Sequence, residues 1–113
     1  MSAARICFIE LPAGDLGAAK SFYASAFGWT LTDFGPSYSC TLTGDVDLGL
    51  QGDPSEAPRA PLTVIAVDDL EAAQRAVEQA GGVITRPIFG FPGGRRFHFA
   101  DPNGLELAVM TED

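Results

Sequence analysis

Arg96, His98 and Glu106 are the residues of this chain whose types and spacing suit them to joint chemistry. They lie in two alternating runs, Arg95-Arg96-Phe97-His98-Phe99-Ala100 and Leu105-Glu106-Leu107-Ala108-Val109-Met110, joined by Asp101-Pro102-Asn103-Gly104. Proline presets φ and an Asn-Gly pair tolerates positive φ, so the runs read as two strands of a hairpin. Alternation sends Phe97, Phe99, Leu105, Leu107 and Val109 to one face, and Arg96, His98, Glu106, Ala108 and Met110 to the other. A symmetric hairpin would set His98 across from Glu106. The imidazole, titrating near neutrality, suits general acid–base work. The competing reading is a cross-strand pair in which His98 and Glu106 satisfy each other. Arg96 suits bidentate capture of a carboxylate, phosphonate or phenolate, or is a plain sheet-face charge. Arg95, on the opposite phase, reads as a solvated surface charge.

Two more stretches carry candidates. Glu10 lies between Ile9 and Leu11 in a run, residues 5–11, that reads as a strand. A carboxylate there is either a pocket group raised in pKa by burial, serving as base or anchor, or half of a salt bridge. Ile88-Phe89-Gly90-Phe91-Pro92-Gly93-Gly94 reads as a mobile loop, a lid that brings Phe89 and Phe91 onto a flat ligand or packs against the domain edge.

Composition sets the bounds. The chain has 113 residues, 46% hydrophobic and 19% charged, as expected of one globular domain. Its net charge of −8 repels phosphate backbones and anionic lipid heads, which argues against nucleic-acid and membrane partners. Cys7 and Cys40 lack a CxxC spacing and read as buried hydrophobes in a reducing compartment. With no leader and no long apolar run, the expected location is the cytoplasm. Neither a glycine-rich phosphate cradle nor a serine-nucleophile elbow is found.

In chain order, the first strand ends at Pro12, and a helix follows from Asp15 with Leu16, Ala19, Phe22, Tyr23, Ala26 and Phe27 in helical period and Gly28 as its cap. Phe22, Tyr23 and Trp29 read as core between this helix and its sheet. Short strands follow near 30–33, 38–43 and 45–51. Residues 52–61 are a proline-rich linker. The pattern then restarts: a strand at 62–67, a helix from about Asp69 to Ala80 opening on Asp68 and Glu71, a strand near 83–85, and the hairpin. Asp15-Leu16-x-Ala18-Ala19 repeats as Asp69-Leu70-x-Ala72-Ala73 at an offset of 54 residues. The chain therefore reads as an α+β fold of two βαβββ modules (residues 1–51 and 62–113) in a single domain, forming a cupped sheet with helices outside and a cavity within.

This repeat, the Asp-Leu-x-x-Ala helix start, the Phe27-Gly28-Trp29 that follows the first helix and the Asp-Pro-Asn-Gly hairpin resemble the vicinal oxygen chelate superfamily: glyoxalases, bleomycin- and fosfomycin-resistance proteins and extradiol dioxygenases. The resemblance implies metal ligands on the first and last strands of each module. It places them at Phe8, near Gly49, at Leu62 and at Ala108, none of which carries a donor side chain. It also implies a homodimer. The expected wall of the cavity is Phe8, Leu62, Val64, Phe89, Phe91, Arg96, Glu106, Ala108 and Met110, with Glu10 and His98 as the acid–base candidates. The expected function is metal-free binding of a hydrophobic or aromatic metabolite or antibiotic. The alternative is a glyoxalase-like lyase or isomerase that works through Glu10 and His98 or through a bound divalent metal.

Overall fold

A computed structural model describes residues 4–112. The order of elements is β1 (Arg5–Pro12), α1 (Leu16–Phe27), β2 (Thr32–Asp33), β3 (Tyr38–Cys40), β4 (Asp47–Gln51), β5 (Leu62–Ala66), α2 (Leu70–Gln79), β6 (Val83–Phe91), β7 (Gly94–Ala100) and β8 (Glu106–Glu112). This is βαβββ twice, an α+β fold. Two compact units divide the chain: residues 8–62 in one, residues 4–7 with 63–112 in the other.

In the first repeat the strands run β2-β3-β4-β1, with β1 parallel to β4 and the other pairs antiparallel. The Asp15 carboxylate caps α1 by accepting from the Ala18 N–H at 3.0 Å, and Gly28 closes the helix in the left-handed region at φ 70°. A residue with a Cβ would be strained there. The strands after α1 are shorter than their sequence suggests because Asp47 gathers the chain before it. Its carboxylate accepts from the Thr41 and Thr43 hydroxyls and the Thr43 and Gly44 N–H groups, which holds residues 41–46 as a turn. Tyr23 of α1 is half-buried, but Phe22 and Phe27 of the helix and Trp29 just after it are not core. Phe22, Phe27 and Trp29 are 60%, 59% and 41% exposed, and no residue of the helix is buried. Helical period places side chains on one face but does not say what covers that face.

In the second repeat the strands run β5-β8-β7-β6, with β5 parallel to β8. Asp69, not Asp68, caps α2 by accepting from the Ala72 N–H at 3.0 Å. Glu71 leaves the cap alone and instead binds Arg95 through two contacts, at 2.6 and 3.3 Å, so Arg95 is tied to the helix. That guanidinium holds the Glu71 carboxyl below its usual range. The core of this repeat is Leu70 of α2 against Phe97 of β7 and Val109 of β8, ringed by Val67, Ala73, Val77, Ile84, Ile88 and Phe99.

The lid expected at residues 88–94 is not a loop. β6 runs unbroken to Phe91, and Pro92-Gly93, with Gly93 at φ 106°, makes the tight turn into β7. Pro87 is accommodated because β6 is the outer strand of this set, with a register shift on each side of Arg86.

The Phe97 side chain is fully buried at the centre of the α2 contact. Phe97→Ala is expected to cost about 3–5 kcal/mol of unfolding free energy, read from the shift of the urea midpoint.

Candidate functional site

The β7–β8 turn sets the geometry of the candidate face. Asp101 closes it with its backbone and its carboxylate: Asp101 N–H donates to Leu105 O at 2.9 Å, and the carboxylate accepts from Asn103 and Leu105 N–H at 2.8 and 3.0 Å. Gly104 sits at φ 80°. The resulting register pairs His98 with Ala108 and Ala100 with Glu106. Glu106 is therefore diagonal to His98 rather than opposite it, because the five-residue connection starts the ladder at Glu106. The side chain still reaches back, bringing Oε2 to 3.3 Å from His98 Nδ1. The same oxygen accepts from the Thr85 hydroxyl of β6 at 2.9 Å.

Cross-strand partners share a face. Arg86, His98, Ala108 and Val64 form one row across β6, β7, β8 and β5, and Phe89, Arg96, Met110 and Ala66 form the next. Val64 and Ala108 are fully buried, and Phe89, Arg96 and Met110 half-buried. Glu106 lies at the exposed rim. The Phe89 ring is 5.8 Å from the His98 imidazole, with the Arg86 guanidinium 3.6 Å and that of Arg96 5.3 Å from its centroid. Arg96 also lies 5.6 Å from the Phe91 ring. Cation–π contact at these distances keeps both guanidiniums beside the aromatic surface. Eight of the sequence-predicted residues thus come together: Val64, Phe89, Phe91, Arg96, His98, Glu106, Ala108 and Met110. Arg86 was missed. Its only signal was the residue before Pro87, at a place where the strand had been expected to stop.

His98 is 7% exposed. Burial, and then the Arg96 guanidinium, hold its pKa below the ordinary 6.5 against the opposing pull of Glu106. A neutral imidazole facing a carboxylate must donate from Nδ1, because a carboxylate only accepts. Nε2 is then a bare lone pair, and it is buried with no hydrogen-bond partner among the described residues. A buried acceptor left this way is costly unless something supplies a donor.

The other predicted residues belong to the first repeat or its border. Glu10 is 3% exposed on β1, in register with Gly49 of β4. The Phe8 ring and the Tyr38 hydroxyl fill the space over Gly49, so a Cβ at residue 49 would overlap both. Leu62 is buried at the start of β5. The positions where the resemblance implies metal ligands thus hold a phenyl ring, a glycine roofed by that ring, a buried leucine and a buried alanine. This set does not fit a divalent metal, which needs imidazole, thiolate or oxygen donors. Nor do three His, Cys, Asp or Glu side chains gather for one elsewhere among the described residues.

A twice-repeated βαβββ unit with a half-apolar sheet face marks a class of small α+β proteins, and comparison with known proteins identifies which. Residues 5–109 match the Glyoxalase/Bleomycin resistance protein/Dioxygenase superfamily, and the chain belongs to that family. It is 36% identical over 113 residues to the putative glyoxylase CFP32 of Mycobacterium tuberculosis, an alignment that covers 90% of this chain and 43% of that protein. It is 32% identical over 126 residues to the anthracycline biosynthesis protein DnrV of Streptomyces peucetius, covering 93% and 46%. The chain therefore spans less than half the length of these curated relatives. The methylmalonyl-CoA epimerase of M. tuberculosis shares its fold, with a TM-score of 0.74 at 16% identity, covering 96% of this chain and 87% of that one.

His98 is the one histidine, so its imidazole signals in an NMR titration are unambiguous. They are expected to titrate below 6.5 and to report the Nδ1–H tautomer. The sign for stability follows: between the lowered folded-state value and 6.5 the unfolded chain binds more protons, so stability rises with pH across that window and levels off above it. His98→Gln is expected to flatten this slope, measured by urea unfolding at a series of pH values.

Proposed function

We propose that this chain binds a flat hydrophobic or aromatic small molecule against the β5-β8-β7-β6 sheet face, and does so without a metal ion. The observation that carries the reading is the unpartnered Nε2 of buried, neutral His98, set among Val64, Ala108, Met110 and Phe89. A ligand hydroxyl or N–H supplies the missing donor, Phe89 and Met110 supply apolar contact, and the Arg86 and Arg96 guanidiniums lie where electron-rich oxygens or rings gain most. The side chains at residues 8, 49, 62 and 108 support the metal-free part of the proposal. DnrV is named for anthracycline biosynthesis, and the fused rings and phenolic hydroxyls of an anthracycline match this chemistry, which makes a fluorescent anthracycline a fitting probe.

One observation favours a second reading. A neutral imidazole with Nδ1 held by a carboxylate and Nε2 bare is also poised as a general base. On that reading the chain is a glyoxalase-like lyase or isomerase, with Glu10 as a further acid–base group.

Cys7 and Cys40 are free thiols, both held protonated by burial, which suits a reducing, cytoplasmic setting. No described helix is long and apolar enough to cross a membrane. We further propose that the chain self-associates as a homodimer.

Fluorescence titration of chelator-treated protein is expected to give saturable one-to-one anthracycline binding. His98→Gln, which offers Nε2's place an amide, and Arg96→Ala are each expected to weaken it by about tenfold, the worth of one hydrogen bond to a buried group. Unsaturable binding, or binding indifferent to both changes, contradicts the proposal. Conversion of the ligand, lost in Glu10→Gln or His98→Gln while binding persists, would select the enzymatic reading.

A further inference from the structure

We propose that the outward face of α1, together with Trp29, is the surface through which two copies of this chain associate. The proposal rests on the self-association just put forward and assigns it a place. Phe22, Phe27 and Trp29 are each 41% or more exposed, with Tyr23 half-buried beneath them. The four rings form one ordered stack. Trp29 lies 5.7 Å from Tyr23 at 9° between planes and 5.2 Å from Phe27, while Phe22 meets Tyr23 edge-on at 5.2 Å. Rings fixed in this way lose little freedom on docking, and they expose roughly 300–400 Å² of aromatic surface, about half of what one partner gives to a standard interface.

The internal repeat serves as a control. At the offset of 54 residues, α2 carries Glu71, Arg75, Ala76 and Glu78 where α1 carries Gly17, Ser21, Phe22 and Ala24. All eight are exposed. One helix thus presents an ordinary solvated face, while its counterpart in the same chain presents an aromatic one, so the fold itself does not require the patch.

Charge favours a second copy as the occupant. The chain carries −8 overall, so two copies repel each other across most of their surfaces. Residues 16–32 hold a single charge, Lys20, and its ammonium is paired with Asp33 at 2.6 Å. Residues 34–44 carry no charge either, so this part of the chain is one along which a second acidic copy can approach with little repulsion. A two-fold arrangement then sets aromatic stack on aromatic stack.

Trp29 is the one tryptophan, so the unaltered protein reports on its own interface. Sedimentation velocity across a dilution series is expected to show a dimer that dissociates. In parallel, Trp29 emission should shift to the red and iodide quenching should rise. Phe22→Glu, at an already exposed site, is expected to raise the dimer dissociation constant at least tenfold, whereas Ala76→Glu at the matching position of α2 leaves it within about twofold. A monomer at every soluble concentration overturns self-association itself. A dimer whose Trp29 emission and quenching stay constant through dissociation, and which survives Phe22→Glu, overturns this surface while leaving self-association standing.

Discussion

The constraint on which the second repeat depends is the register between β7 and β8. Because successive strand residues point to opposite faces, that register alone decides that Phe97 and Val109 meet Leu70 of α2 while His98 and Ala108 face the other way. A slip of one residue would bury the imidazole under the helix and turn the phenyl ring out. Both ends of the ladder resist it. The Asp101 carboxylate holds two N–H groups of the turn at one end. At the other, Gly94 lies so close to the Thr111 carbonyl that any Cβ would overlap it. The glycine is there because two backbones meet.

The chemistry of the face follows from this placement. Burial keeps His98 neutral, and Glu106 orients it from a rim that stays wet and shares its oxygen with Thr85. The surrounding walls are apolar, and the nearby cations are guanidiniums resting on aromatic rings. On the proposed reading, such a face recognises shape and one or two donor or acceptor groups rather than a metal-bound substrate. In the first repeat, the ring of Phe8 over Gly49 closes off space that a ligating side chain would need.

Much of this was legible in the sequence. Asp15 caps the first helix where the sequence places its start, the 54-residue repeat locates the second helix though its cap is Asp69 rather than Asp68, and the alternation through Phe97-His98-Phe99 assigned the two faces correctly. What escaped had physical reasons. Pro87 and Gly90 look like breakers, but β6 is an outer strand whose register shifts absorb them, so the strand, its Arg86 and the in-strand position of Phe89 and Phe91 were hidden. The turn of Asp101 changed the partner of His98 by two residues, a detail set by hydrogen bonds that residue types do not announce. The α1 aromatics have core-like spacing, yet period says nothing about what lies opposite, and among the described residues nothing buries Phe22 or Phe27.

Calorimetric titration of chelator-treated protein with Mn²⁺, Ni²⁺ and Zn²⁺ decides whether this face works without a metal, the point on which family resemblance and residue chemistry disagree. A metal-free face takes up none of the three in stoichiometric amount and keeps its affinity for an aromatic ligand unchanged after chelation. One equivalent of tightly held metal, with ligand binding that depends on it, would overturn the metal-free reading.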